Sequence, residues 1–379
     1  EMKKKKWFLA SALCAMMAMF FVACDNDDDP TPGPDEPGTP DTEQYTAGFY
    51  IINRGKSKSN NSCISYYDLL NKKITGHVFE TANGRKLGDS AQEFFQYGSK
   101  IYIPVYNSMI IEVIDAETLK SLKSIEPKDA DGKGEKPRAI TASGDYVYAT
   151  LYNGYVARID TATLEIDKQV KVGMNPDKLS AQGDVLYTAN SGGLNSPDYD
   201  KTISVVNLNT FEVERNVEVI INPTRVITDS EGDAYVISMG NYSKDPATLV
   251  PNTLQYFKKG SSDAKEICHA SVISICNDTI YGVYKQYGST TYDFFTYDAK
   301  AEKMISDKFV TDDTVITGDP QEIDIDPLTG NVYVSVGGSN VNGDMYIFSP
   351  EGKLINKFDT EGLYPQGVIF VYGEQQLED

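Results

Sequence analysis

Between about Gly48 and Tyr372 the chain alternates apolar and small or polar residues in short runs, and the same strand ending recurs seven times. The copies are GFYIIN around Tyr50, KIYIPVYN around Tyr102, YVYATLYN around Tyr148, VLYTANSG around Tyr187, AYVISMGN around Tyr235, TIYGVYKQY around Tyr281 and NVYVSVGG around Tyr333. Successive tyrosines lie 52, 46, 39, 48, 46 and 52 residues apart. Period-two alternation predicts strands that present opposite faces to two neighbours. A repeat in the forties, built only from such strands, predicts an all-β, seven-bladed β-propeller with four-stranded antiparallel blades.

The third copy shows the unit. Lys136–Ala142 reads as an innermost strand and Ser143-Gly144-Asp145 as a turn. Tyr146–Tyr152 reads as a sandwiched strand, and Asn153-Gly154 as a hairpin signal. Tyr155–Asp160 returns, Thr161-Ala162-Thr163 turns, and Leu164–Val172 forms the outer strand. Pro137, Pro176, Pro223, Pro320 and Pro365 stand where inner strands begin, a place where no ladder donor is yet needed. Tyr364–Val371 also reads as an inner strand, yet only a polar tail, 374–379, follows it. The first copy lacks such a strand in front. The C-terminal strand is therefore expected to complete the first blade and close the ring, which removes free sheet edges. The propeller is expected over 47–373.

The ends of the chain add a location. Lys3–Lys6, an uncharged run from Trp7 to Ala23 and then Cys24 read as a lipoprotein signal over 1–23, with Cys24 as the lipidated residue. The run is 17 residues, at the short limit for a membrane span. Asp25-Asn26-Asp27-Asp28-Asp29 resembles an acidic surface-export signal. The segment 24–46, rich in Pro, Gly and acids, reads as a disordered tether. The expected location is the outer face of the outer membrane, with attachment through lipid only.

Charge and cysteines exclude some classes. The formal net charge is −20, and without a basic footprint nucleic acid is not an expected partner. Cys63, Cys268 and Cys276 remain beside Cys14 and Cys24; buried thiols or a Cys268–Cys276 bridge would both fit the oxidising location.

Loop lengths point to one face of the ring. Gly98-Ser99, Gly144-Asp145, Gly183-Asp184 and Asn277-Asp278 are tight turns. The opposite face collects 54–62, 191–202, 239–252, 285–292 and 337–343, together with 81–91, 127–136 and 311–319. Binding residues concentrate on loops carried by a rigid scaffold, so this face is the candidate site. Gln92, Glu93, Arg138, Lys178, Arg225, His269, Gln321, Glu322 and Gln366 are expected at the tops of inner strands around the central opening. Asn53, Arg54, Tyr106, Asn107, Tyr152, Asn153, Asn190, Met239, Asn241, Tyr284 and Tyr287 are expected around them. The chain has 25 tyrosines and one tryptophan; tyrosine offers wide, rigid contact with a polar end, which suits a large ligand of mixed polarity.

Catalytic motifs are nearly absent, with only His77 and His269 as histidines and no GxSxG or HExxH. No catalytic residue, metal or required cofactor is expected, and the protein is not expected to be an enzyme. An axial calcium held by Glu93, Asn190 and Glu322, as in some propeller hydrolases, is the alternative. Asp324–Asn331 is like a calcium loop only superficially and reads better as a strand followed by a turn.

The D-x-x-T turns (Asp160–Thr163 and the related Asn207–Thr210) and the Val-Tyr strands resemble YVTN-type, surface-layer-like propellers. With the lipoprotein start and the acidic tether, the whole resembles the BtuG-type surface lipoproteins. That resemblance implies capture of a corrinoid, cobalamin, on one propeller face and its transfer to a TonB-dependent outer-membrane transporter. A glycan- or protein-binding surface propeller, or an axial-metal hydrolase such as a lactonase, are the other classes the pattern accommodates.

Overall fold

The computed structural model describes residues 42–285, 288–338 and 340–376. Alternation and turn chemistry produce seven antiparallel sheets of four strands each. Blade three consists of Pro137–Ser143, Tyr146–Leu151, Tyr155–Asp160 and Ile166–Lys171, within a residue or two of the boundaries read from its sequence. Pro137, Pro176, Pro223 and Pro365 are the first residues of their inner strands, and Pro320 is the second of its own.

The tight turns obey hairpin rules. Gly98, Gly144 and Gly183 have φ near +60° at the first turn position, whereas Asn277 and Asp278 both have positive φ. Such left-handed turns match the right-handed twist of the strands they join. In the D-x-x-T turns, Asp160 Oδ1 accepts from the backbone N–H groups of Ala162 (2.9 Å) and Thr163 (2.7 Å). Asp326 likewise accepts from the Leu328 N–H, and from the hydroxyls of Thr329, Thr46 and Tyr372. The turn reading of Asp324–Asn331 therefore holds.

The recurring tyrosine has a packing reason. Tyr102, Tyr148, Tyr187, Tyr235 and Tyr333 are almost fully buried. Tyr187 donates to the Gly232 carbonyl in the next blade (3.2 Å) and Tyr235 to that of Ala299 (2.9 Å). Each such ring fills an inter-blade layer, and a hydroxyl that finds a partner across it avoids the penalty of an unpaired buried donor.

Ring closure is as expected: Pro365–Gln376 pairs antiparallel with Thr42–Asn53 in the first blade. This ladder runs further than the sequence suggested, because Thr42 pairs with Gln376. The last residues assigned to the tether, 42–46, and the first of the tail, 374–376, are thus strand. Cys24, the signal and the rest of the tether lie outside the described residues. Cys268 and Cys276 are not bridged: Cys268 is a thiol on the outer strand Lys265–His269, and burial pushes its pKa up to about 11.

Candidate ligand-binding site

The inner strands bring together charged side chains that are far apart in the chain. Arg225 makes a two-pronged ion pair with Glu322, at 2.6 and 2.7 Å, and also donates to the Ile273 carbonyl at 3.0 Å. Lys178 pairs with Glu93 and stands 3.8 Å from Glu322. Arg138 forks onto Asp177 at 3.0 and 3.1 Å and donates to Gln92 at 2.6 Å. Gln366 donates to Gln321 at 3.1 Å. Eight of the nine side chains expected around the opening are therefore each bonded to another of them, in three groups: Arg225, Glu322, Lys178 and Glu93; Arg138 and Gln92 with Asp177; and Gln321 with Gln366. The first group joins four different blades, so its ion pairs close the axis.

Sequence reasoning missed two members, Asp177 and Asp324. Asp324 stands two residues from Glu322 on the same strand, so period-two alternation alone would have put both on one face. Its Oδ2 accepts from the Val368 N–H at 3.1 Å. Burial, and then the charge of Glu322, push the Asp324 carboxyl up to about 8. Burial also acts against the Glu322 carboxylate, but Arg225 and Lys178 more than offset it and hold Glu322 below its ordinary range.

The ninth side chain, His269, is not on an inner strand. It ends the outer strand of blade five, is exposed, and lies 5.1 Å from the Tyr284 ring. The inner strand of blade six begins three residues later, at Val272.

Above the ion pairs, aromatic rings line the mouth. Tyr106 and Tyr152 meet edge to face at 5.5 Å. The Arg138 guanidinium sits over both, at 5.8 and 5.4 Å, and the Lys136 ammonium lies 4.8 Å over Tyr106. On the adjoining quarter, Arg54 lies 4.7 Å over the Tyr364 ring. Tyr199 and Tyr242 form a further edge-to-face pair at 6.3 Å. Burial raises the pKa of both Tyr106 and Tyr152, so these hydroxyls stay protonated donors at neutral pH.

Further round the same face, a cleft of about 290 Å³ is lined by Met239, Tyr242, Val272, Val283, Lys285 and Pro320 among others. Its floor is apolar, and Lys285 pairs with Asp319 at its rim. Such a combination of apolar walls and few polar groups is typical of small-molecule sites.

Not every expected residue faces a ligand. Asn53 is fully buried and donates to Ser65 at 3.1 Å, and Asn190 is equally buried and donates to Thr202 and Ser204. Both are framework residues of their blades. With Asn190 spent inside blade four, Glu93 on Lys178 and Glu322 on Arg225, the imagined axial calcium set does not form. Asn107 ties Ser57 to Asp89, and Asn241 organises its own loop through Thr248 and Val250. Asn153 is exposed, and Tyr287 lies outside the described residues.

Fold and site together define a closed seven-bladed propeller whose axis is sealed by ion pairs and whose loop-rich mouth is lined by tyrosines and cations. Residues 47–371 match the family described as Domain of unknown function (DUF5074), and the chain belongs to it. No curated protein matches the chain. Several solved structures share the architecture. Hydrazine synthase of Kuenenia stuttgartiensis is 17% identical over 69% of this chain and 77% of its own, with a TM-score of 0.54. The computationally designed Ika8 protein is 10% identical over 86% and 96%, at 0.55. NirN, a dihydro-heme d1 dehydrogenase solved in complex with DHE, is 11% identical over 88% and 77%, at 0.58. At these identities the likeness is one of fold alone.

Proposed function

We propose that the protein is a lipid-anchored surface receptor that captures a corrinoid on the loop-rich mouth of the propeller and passes it to a TonB-dependent outer-membrane transporter. The observation that carries this reading is the collar of tyrosines and arginines, Tyr106, Tyr152 and Tyr364 with Arg54 and Arg138, spread over a sealed axis. Sealing the axis makes the mouth a floor on which a large ligand rests rather than a channel through which it passes. Flat rings held by cations suit a bulky, amide-rich and partly apolar macrocycle. By its name, NirN acts on dihydro-heme d1, itself a macrocycle, which is in keeping with this use of the fold. The role is binding: the arginines and lysine of the axis are spent on carboxylates, and the tyrosines and cations of the mouth offer contact area rather than a nucleophile.

Calorimetric titration of residues 25–379 with cyanocobalamin tests the reading. One-to-one binding is expected, and Tyr152→Leu should weaken it by about ten-fold while the melting temperature stays within a few degrees of wild type. Arg138 is a poor choice for this purpose, since its loss leaves Asp177 unpaired. Absence of heat and of any thermal shift with cyanocobalamin would overturn the corrinoid reading and turn attention to glycans.

The anchor is tested separately. The Cys24→Ala protein should leave the membrane fraction and become soluble. Its retention in the outer membrane would sink the lipoprotein reading.

A further inference from the structure

We propose that the mouth recognises an anionic group of its ligand, a phosphate ester or similar oxyanion, with Arg54 as the principal contact and Lys136 as the second. The inference deepens the reading above at the same site. Three cations of this face are already spent. Arg138, Lys178 and Arg225 are each paired with carboxylates. Among the described residues, neither Arg54 nor Lys136 has a carboxylate within 4.0 Å; each is held instead against a tyrosine ring.

The nearby acids are committed elsewhere. Asp177 is taken by Arg138, and Asp89 accepts from Ser90 (2.8 Å), Asn107 (3.1 Å) and the Lys58 N–H (3.1 Å). In a chain of net charge −20, this leaves two cations without carboxylate partners on the candidate face. Burial and the neighbouring charge of Arg138 lower the Arg54 pKa from its very high ordinary value, so the free site holds a charge its surroundings disfavour. A cation over a ring is oriented by the ring without being neutralised. A stacked guanidinium also keeps its N–H edges directed outward, in a fork that matches two oxygens of a phosphate.

The arrangement is built rather than incidental. The Arg54 and Gly55 N–H groups donate to the carbonyls of Tyr364 and Leu363, both at 3.0 Å, clamping the guanidinium's own backbone to that of its ring. Ser62 Oγ in turn donates to the Arg54 carbonyl at 2.5 Å. Such preorganisation lowers the ordering cost of binding.

The source of the anion is separable by experiment. Cyanocobalamin carries a phosphodiester, and dicyanocobinamide is the corrinoid without it. With residues 25–379, Arg54→Gln should weaken cyanocobalamin binding about ten-fold or more, as expected for loss of a charge-assisted contact. It should change dicyanocobinamide binding less than two-fold. Arg54→Lys should fall between, because it keeps charge but loses the fork, and it guards against misfolding of the glutamine variant. Equal losses for both corrinoids, or no loss for either, would overturn the anion site and leave the corrinoid reading standing. If neither corrinoid binds wild type, inorganic pyrophosphate becomes the probe. A thermal shift in wild type that disappears in Arg54→Gln/Lys136→Gln keeps the anion site while the corrinoid reading falls; no shift in wild type overturns the site as well.

Discussion

Replacing Glu322 by alanine is expected to destabilise the propeller by about 3–5 kcal/mol, the range for removing one partner of a buried ion pair. Glu322 receives both prongs of Arg225 and stands 3.8 Å from Lys178, so its loss leaves the guanidinium in the axis with the Ile273 carbonyl, at 3.0 Å, as its acceptor, and Glu93 and Asp177 as more distant countercharges. The partners lie in blades five and seven, 97 positions apart in the chain, and the cost falls on the ring rather than on one blade. Part of it should be recovered locally. Without the like charge of Glu322, the Asp324 carboxyl ionises more readily and supplies a replacement anion, which places the expected value toward the lower end. Urea unfolding at neutral pH measures it, through a fall in the midpoint at unchanged slope. A loss under about 1 kcal/mol would mean that the axial pairs are ornamental to stability.

Asp324→Asn is expected to gain stability relative to wild type as pH rises from 5 to 8. The carboxyl of Asp324, raised to about 8 in the folded chain, keeps its proton where the unfolded chain has already released it near pH 4. Between those values the folded state binds more protons, so the stability due to this group is full at low pH and is lost as pH rises through the folded pKa. The slope for one such proton is about 1.4 kcal/mol per pH unit, and coupling to Glu322 spreads it, leaving on the order of 1 kcal/mol per unit. Asparagine keeps an oxygen to accept the Val368 N–H and has no proton to lose. Comparing variant and wild type at pH 5, 6.5 and 8 cancels the contributions of groups common to both. The carboxyls held below their ordinary range, Asp115 and Glu322 among them, act only at more acid pH. A stability difference that stays flat, or that shrinks as pH rises, would show that Asp324 is ionised throughout.

Both expectations concern residues that the sequence placed only in part. Glu322 and Arg225 were legible as inner-strand side chains because an inner strand starts at a proline and alternates from there. That they bond to each other was not legible, since each could have met any of six other blades. His269 was misplaced for a related reason: its segment lacks the proline that marks four other inner strands at their first residue, and the outer strand of blade five runs up to it. Asn53 and Asn190 end their strands just as Tyr106 and Tyr152 adjoin theirs, yet the asparagines turn into the blade. The hydroxyls of Ser65, Thr202 and Ser204 across the sheet, which depend on register, draw them inward together with the Thr360 carbonyl and the Gly173 N–H.

Strand positions, blade number, the closing strand and the loop-rich face were therefore determined by the sequence itself, because alternation, turn glycines and strand-opening prolines act within a few residues of one another. The ion pairs across the axis, the raised pKa of Asp324 and the placing of Arg54 over Tyr364 were decided by the tertiary structure. Those features depend on which side chains meet when the ring closes, and on how far burial strengthens the fields between them. Distances of that kind run across the chain's whole length, and no local pattern encodes them.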